Sequence, residues 1–476
     1  MRFQRVMLVN PKYKGHYPAF LPAGLGYVAE ALVHAQIQYD YVDMGLDSSV
    51  GKLRSRILSF SPDLLGLQVM SYSYLHTYDL IRQLKKMFPH LRIVVGGHHI
   101  SSVRELVLEQ NEAVDYRIVL EGEQTIVELC CNQLPLSDIK GLIFRQNGKV
   151  IYTGDRKFIE DLDALPFPKY ERFELTRYPS PTIPLTSSRG CPYRCTFCPV
   201  KVTIGRQMRV RSAANVVQEI EYWHGRGYRR FGFTDDNLTL YKARVVEICD
   251  ELERRGLKDL DLVCGNGIRA DKVDREILAR MRQVGFTWLA FGVEAGNNRV
   301  LRRIRKGESI EAIEQTISDA CELGFDVDLF FLIGSPGETE ADVQDSIDLA
   351  LRYPVASVEF YNLIPFPNTE LFTWVKENDY FVRSPEEYLN DASHWENEPV
   401  FETPQLPIEA RRRMFRVCQQ VSNTVRKAYI RRKLAKYGFL ADLLAQIYVT
   451  DFVQQRLLPS TRLRKLAKKL YSTMAE

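Results

Sequence analysis

The sequence predicts an α/β chain built on two successive sheets. An N-terminal open, doubly wound parallel sheet is followed by a partial (β/α)6 barrel and a helical C-terminal region. Three observations predict this. Short apolar runs alternate with helix-like stretches over the first 130 residues. Those runs show little polar/apolar alternation, as strands buried on both faces do. From Leu185 the alternation resumes in longer units, six of them before residue 371, which suits a barrel better than another open sheet. With 476 residues, 45% of them hydrophobic and 26% charged, the chain can bury the core of several domains.

In the first sheet, strands are expected at 5–9, 38–42, 64–69, 92–95 and 116–120, and helices at 24–34, 74–88 and 102–109. Ligands of such sheets bind at the carboxyl ends of strands, which makes 10–22, 70–73, 96–101 and 121–123 the candidate binding loops. Residues 141–154 read GLIFRQNGKVIYTG, where Asn147-Gly148 between two strand-like arms signals a type I′ hairpin. The proline-rich stretch 161–184 forbids a regular element and suits a strap between domains. Barrel strands are expected at 185–188, 230–234, 262–265, 288–293, 327–333 and 357–363, again with chemistry at their carboxyl ends. The expected division is 1–135, a hairpin and linker at 136–184, a barrel at 185–384, and a basic helical region at 385–476.

Net charge is +4, but residues from Gln405 onward carry +12 and the remainder −8, which disfavours a protein that binds nucleic acid over its whole surface. No apolar run reaches the roughly 18 residues that would span a bilayer. The start, MRFQRVMLVN, is charged and then strand-like, unlike a signal peptide, so a cytoplasmic chain is expected. In the tail, Leu434, Tyr437, Ala441, Leu444 and Tyr448 fall at helical spacing, and 462–470 is a second basic stretch. The expectation is a helix packing that face over the barrel. Peripheral contact with an anionic membrane, suiting a lipid-like substrate, is the alternative.

Nine cysteines in such a chain are too few and too scattered for a disulfide framework. Three of them cluster in Ser188-Arg-Gly-Cys191-Pro-Tyr-Arg-Cys195-Thr-Phe-Cys198, after the first barrel strand. Zinc wants four ligands, and no fourth Cys or His lies within 20 residues. Soft thiolates also select iron–sulfur clusters, and a cubane held by three cysteines leaves one iron open to chemistry. This CxxxCxxC loop, with Phe197 before the third cysteine, resembles the signature of the radical S-adenosylmethionine (SAM) enzymes. The resemblance implies a [4Fe-4S] cluster on Cys191, Cys195 and Cys198 whose open iron chelates SAM. Reductive cleavage then gives methionine and a 5′-deoxyadenosyl radical, with the electron supplied by a flavodoxin- or ferredoxin-type donor. Phe233-Thr-Asp-Asp236-Asn237, Asn266-Gly-Ile-Arg269, Gly292-Val-Glu294 and Leu332-Ile-Gly334 stand at successive strand ends, where the family places SAM. By that resemblance Phe197, Asp236, Asn237, Arg269, Glu294 and Gly334 position SAM.

An open sheet ahead of such a barrel is similar to a cobalamin (B12)-binding domain. The matching segments are Pro22-Ala-Gly24-Leu-Gly26-Tyr27, Val94-Val-Gly96-Gly97-His98-His99 and Leu120-Glu121-Gly122-Glu123. Ser71, Gly96, Gly97, His98, Glu121 and Gly122 are the implied cobalamin residues. The DxHxxG loop that supplies an axial histidine in ordinary cobalamin modules is missing; His16 occupies that loop and reads as an ordinary loop residue. Together the resemblances imply a cobalamin-dependent C-methyltransferase acting on a small molecule or lipid, not on nucleic acid. A radical oxidoreductase, cyclase or rearrangement enzyme, with or without cobalamin, is the alternative. Methylthio transfer to RNA would need an N-terminal cysteine triad, and only Cys130 and Cys131 are there.

Overall fold

A computed structural model describes residues 1–12, 19–47, 49–104, 111–390, 398–450 and 453. Its first sheet is built from β1 (Arg5–Asn10), β2 (Gln38–Asp43), β3 (Leu64–Gln68), β4 (Arg92–Gly96) and β5 (Tyr116–Ile118), all parallel, in the order β2-β1-β3-β4-β5. Successive side chains of one strand go to opposite faces. Val6 and Leu8 join the core that continues into the second domain, whereas Met7 and Val9 join a separate core on the other face. That two-sided burial is why these strands read as unbroken apolar runs. Among the described residues five helices cover them: α1 (Ala23–His34), α2 (Val50–Phe60), α3 (Tyr74–Met87), α4 (His98–Val103) and α5 (Glu123–Cys131).

Helices α2 and α5 were not among the sequence expectations. Of the helix expected at 102–109, residues 102–103 form the end of α4, which begins at His98; 105–110, with most of that expectation, lies outside the described residues, as does His16. The hairpin also differs. β6 (Leu142–Gln146) and β7 (Lys149–Tyr152) turn through Asn147 and Gly148, both at positive φ as a type I′ turn requires. They extend the first sheet antiparallel beyond β5 rather than serving as a linker. Three apolar residues of β6, Leu142, Ile143 and Phe144, are buried in the sheet cores, an attraction that turn chemistry alone does not reveal.

The proline-rich strap crosses to the second domain and packs tightly. Tyr178 and Tyr41 both donate to Asp43, at 2.7 and 3.0 Å. Tyr170 lies against α1 at Gly26, where a Cβ would come within 2.4 Å of the Tyr170 ring and 2.9 Å of Pro168.

The second sheet is all parallel, in sequence order: β8 (Ile183–Leu185), β11 (Arg230–Phe233), β12 (Asp261–Ile268), β13 (Phe286–Glu294), β14 (Asp326–Ile333) and β15 (Ser357–Asn362). The first strand ends at Leu185, where it was expected to begin. Ser188–Arg189 instead form β9, pairing antiparallel with β10 (Arg209–Val210) to brace the cysteine loop. Along β14 and β15 every second residue is buried, so one face of the wall packs into the core while the other is half-buried. The helices that follow the strands start on capping side chains, as at Ser212, Asp274, Asn297, Ser309 and Thr339.

A 26-residue helix, α6 (Ile408–Lys433), lies over β15 and closes that edge. Gly438, at φ +57°, then breaks the chain before α7 (Phe439–Tyr448). The break resets the helical phase: Ala441 and Ala445 are buried, while Leu440, Leu443, Leu444 and Ile447 are exposed. Leu444 therefore does not pack over the barrel as expected; the stretch 462–470 lies outside the described residues. Among the described residues no helix is long and apolar enough to cross a membrane.

The crowding at Gly26 yields a test. Gly26→Ala should lower unfolding stability by about 1–3 kcal/mol, the usual cost of overpacking, measurable by urea denaturation. An unchanged midpoint would show that the strap yields freely.

Candidate functional site

The cysteine loop is held at both ends and in its middle. Cys191 N–H donates to Gly205 O (3.2 Å), Cys198 N–H to Cys195 O (3.3 Å), and Thr196 N–H to Ile304 O (3.0 Å). Gly190, at φ +90°, sits so close to Gln207 O that a Cβ would approach within 2.3 Å. Tyr193, inside the loop, lies under the Arg269 guanidinium at 3.5 Å. Burial pushes all three thiols above their ordinary pKa, Cys198 to about 12. Burial therefore activates none of them as a nucleophile, and a metal that bound here would have to displace their protons. Among the described residues no three His, Cys, Asp or Glu side chains converge as ligands of one ion do. A donor set of three spaced thiols on one loop suits a cluster of several metal atoms better than a single zinc.

Around this loop the structure sorts the SAM residues expected from sequence. Asp236 is half-buried beside it; desolvation first, then the neighbouring Asp235, push its pKa up to about 6, partly offset by the Gly190 N–H. Asp235 is structural, accepting from Ser187 N (3.1 Å), Ser187 Oγ (2.7 Å) and Ser188 Oγ. Asn237 is fully buried with both amide atoms unpartnered by protein. Phe197 is half-buried between the two cores. Glu294 adopts φ +68°, a left-handed conformation that a non-glycine residue holds only under constraint.

Three of the expected residues are engaged within the protein, Glu294 by accepting from Lys306 Nζ at 3.0 Å. Arg269 donates to Asp271 (2.9 Å) and to the carbonyls of Lys306 (2.6 Å) and Gly307 (3.0 Å), so it orders the loop beneath Tyr193. Gly334, at φ +102°, leaves room for Arg411 of α6, whose guanidinium stands within 2.5 Å of where a Cβ would be. Arg411 is fully buried and donates to Asn362 (3.0 Å), Phe401 O (2.9 Å) and Ile333 O (2.6 Å).

The cobalamin residues expected from sequence gather elsewhere. A cavity of about 360 Å³ opens between the two domains. Its inner part is an apolar slot between the first sheet (Leu8, Gly66, Val94, Ile118) and the helices α1 and α5 (Leu25, Val28, Ile126). Its mouth carries Gly96, Gly97, His98, Glu121 and Gly122 from the first domain, facing Ser188, Arg189, Thr234 and Asp236 from the second. A side chain at Gly24 would meet nothing within 4 Å, and one at Gly96 only Ile118, so neither glycine is crowded by protein. A narrow apolar slot behind a polar mouth fits the nucleotide tail and corrin edge of a cobalamin. His98 lines the mouth and is exposed there. Ser71 does not line the cavity. It is buried against His99, their side chains 3.3 Å apart, and His99 stacks on Tyr74 as a core residue with its pKa pushed down to about 3 by burial.

Sequence reasoning missed the device that joins the two sides. Arg189, two residues before Cys191, donates to Glu121 (2.9 Å) and Glu123 (2.7 Å), and Arg209 donates to the same Glu121 oxygen (2.7 Å). All four side chains are nearly inaccessible. Burial alone would lower the Arg189 pKa, but Glu123 and Glu121 outweigh it and keep the guanidinium charged. Glu121 therefore commits its carboxylate to protein partners, including Ile159 N–H (2.7 Å). The only sequence signal was an arginine directly before the glycine and cysteine. Glu121→Ala leaves Arg189 and Arg209 short of a counter-charge and should cost about 3–5 kcal/mol, the penalty for breaking a buried pair. Urea unfolding would measure it, and a loss below about 1 kcal/mol would mean that the pair behaves as a solvated surface bridge.

Comparison with known proteins agrees with this geometry. Residues 6–130 match the model of the B12 binding domain, and residues 185–350 that of the radical SAM superfamily. An uncharacterized methyltransferase of Pyrococcus horikoshii is 26% identical over 93% of this chain and 95% of its own. An anaerobic magnesium-protoporphyrin IX monomethyl ester cyclase of Rubrivivax gelatinosus is 26% identical, over 77% of this chain and 69% of its own. The structure of a radical SAM methyltransferase from Kitasatospora setae, with cobalamin and a [4Fe-4S] cluster bound, superposes with a TM-score of 0.72 at 19% identity, over 87% of this chain and 90% of that one. With both domain models matched in order along one chain that carries an intact cysteine triad, this protein belongs to the radical SAM superfamily, among its enzymes with an N-terminal B12-binding domain.

Proposed function

We propose that this enzyme is a cobalamin-dependent radical SAM methyltransferase that places a methyl group on a carbon of a small molecule. One observation carries the proposal: a single cavity joins the apolar slot of the first domain to Asp236 and the cysteine-loop flank of the second. Methyl transfer between two cofactors requires such proximity, and the full-length similarity to a protein named a methyltransferase supports it.

In this reading Cys191, Cys195 and Cys198 hold a [4Fe-4S] cluster, and Phe197, Asp236, Asn237 and Glu294 face SAM. Gly334 serves through its backbone and Arg269 by ordering the loop. Gly96, Gly97, His98 and Gly122 border the cobalamin, with Glu121 fixing their loop. When bound, the cluster supplies an electron to SAM and cobalamin supplies a methyl group to the substrate carbon. The chain's part is to bind, orient and exclude water. Asp236, ionised above pH 6, offers a negative charge to a cationic ligand in a site where screening by water is weak. The clamp of Arg189 and Glu121 keeps the mouth closed around the pair of sites. The enzyme also needs a reductant, and a flavodoxin- or ferredoxin-type donor suits it.

Anaerobic reconstitution with iron, sulfide and hydroxocobalamin, followed by metal counts and product analysis with SAM and reductant, tests the proposal. Both S-adenosylhomocysteine and 5′-deoxyadenosine are expected. The latter alone would favour cyclase or other radical chemistry, as the cyclase relative would suggest. Cys195→Ala should abolish both products.

Asp236 gives a pH prediction. Its carboxyl is neutral below about pH 6 and charged above, so SAM affinity should fall as pH drops through 6. Asp236→Asn should weaken SAM binding roughly tenfold at pH 7.5, a factor of the size expected for one buried charge contact, and flatten that pH dependence. Isothermal titration at several pH values reads both.

The leucine ridge of α7 beside a tail of +12 charge supports peripheral contact with an anionic membrane as a second proposal. Co-sedimentation with phosphatidylglycerol vesicles at low salt is expected. Equal recovery with and without vesicles would end that idea.

A further inference from the structure

Lys306 follows the short helix Asn298–Arg303 and has no place in the residue set expected from sequence. Its side chain is 8% exposed, and its Nζ lies 3.0 Å from Glu294 and 3.3 Å from Glu308, which is itself inaccessible. Its backbone is fixed as tightly: Lys306 N–H donates to Leu301 O (3.0 Å), and its carbonyl accepts from Arg269 (2.6 Å). The same turn carries Ile304, whose carbonyl receives the Thr196 N–H from inside the cysteine loop. The ammonium and the thiols are thus tied to one rigid piece of backbone.

Strand β13 makes room for this arrangement. A Cβ at Gly292 would stand 2.7 Å from Glu294 Oε1 and 3.2 Å from Lys306 Nζ, so the pair packs directly over the bare Gly292 backbone. Burial would by itself lower the lysine pKa, but Glu294, Glu308 and Cys195 outweigh it and leave the group more basic than an ordinary lysine. Paired with two carboxylates, this buried lysine keeps its charge, on the turn whose Ile304 carbonyl holds Thr196, the residue after Cys195.

We infer that Lys306 is a positioning residue that acts electrostatically. It locks the carboxylate of Glu294 in its left-handed setting, and its charge favours the reduced form of the cluster held by the neighbouring cysteines. The inference rests on the cluster reading proposed above. Three thiolates and a cubane already carry negative charge, and one-electron reduction adds another. A fixed cation in a poorly screened pocket stabilises that added charge more than the charge already present, so it raises the reduction equilibrium. Arg269 also sits near the thiols, but its guanidinium is spread over Tyr193 and two carbonyls. Lys306 is the compact charge, with Glu294 as the link to the SAM side.

The test is a reductive titration of the anaerobically reconstituted enzyme, following the cluster by electron paramagnetic resonance, in the wild type and three variants. Lys306→Gln keeps hydrogen-bonding capacity but no charge. It should lower the one-electron reduction constant about tenfold, a shift of 59 mV to more negative potential, with iron content unchanged. Lys306→Arg should restore the constant to within twofold of wild type. Glu308→Gln removes a carboxylate that offsets the lysine and should move the constant upward, which keeps the inference testable where Lys306→Gln does not fold. A purely structural lysine would lower stability without moving the constant. A constant within twofold of wild type in loaded Lys306→Gln, or a downward shift in Glu308→Gln, overturns the inference. Wild-type protein that holds no iron–sulfur cluster overturns the underlying reading instead.

Discussion

The structure depends on a buried ionic clamp between its two domains. Arg189 and Arg209 come from the hairpin that braces the cysteine loop, Glu121 from the loop after the last parallel strand of the first sheet, and Glu123 from the first turn of α5. Charges so far from water are costly to leave alone, so the two loops hold one relative position. The candidate sites on either side then share a single cavity. Two domains joined only by a proline-rich strap would have no such fixed spacing.

Both domains bring the same end of their strands to that cavity. In parallel sheets the carboxyl ends splay into loops while the rest of each strand stays in the ladder, so ligand contacts concentrate there. Here β3, β4 and β5 of the first sheet face β8 and β11 of the second across the mouth. The strap reinforces this by packing Tyr170 on Gly26 and hydrogen-bonding Tyr178 to Asp43. A chain that must keep a reactive site dry benefits from closure on several sides. Helix α6 supplies another by burying Arg411 at the ends of β14 and β15.

Around the cysteines, charge is arranged in opposed pairs rather than scattered. Asp236 and Glu294 supply negative charge on the side where a cationic ligand would lie, and Arg269 and Lys306 supply positive charge near the thiols. Each has a partner that fixes its place: Gly190 N–H for Asp236, Lys306 for Glu294, the Lys306 and Gly307 carbonyls for Arg269. Preorganised dipoles and charges of this kind need no rearrangement when a ligand arrives.

The sequence by itself determined the two α/β units, the strands to within a few residues, the type I′ turn at Asn147-Gly148 and the cysteine triad. Each of these rests on local pattern: apolar runs, turn chemistry and thiol spacing, all of which are read from neighbours along the chain. Only the tertiary structure decided that the hairpin belongs to the first sheet, that Ser71 stays with His99 in the core, that Gly334 faces Arg411, and that Glu121 answers to Arg189. It also turned Lys306, which stands in a Lys-Gly-Glu run that reads as surface, into a buried cation. These outcomes depend on which side chains meet across long stretches of intervening chain, and on how burial changes the cost of a charge. Neither quantity exists until the chain has folded.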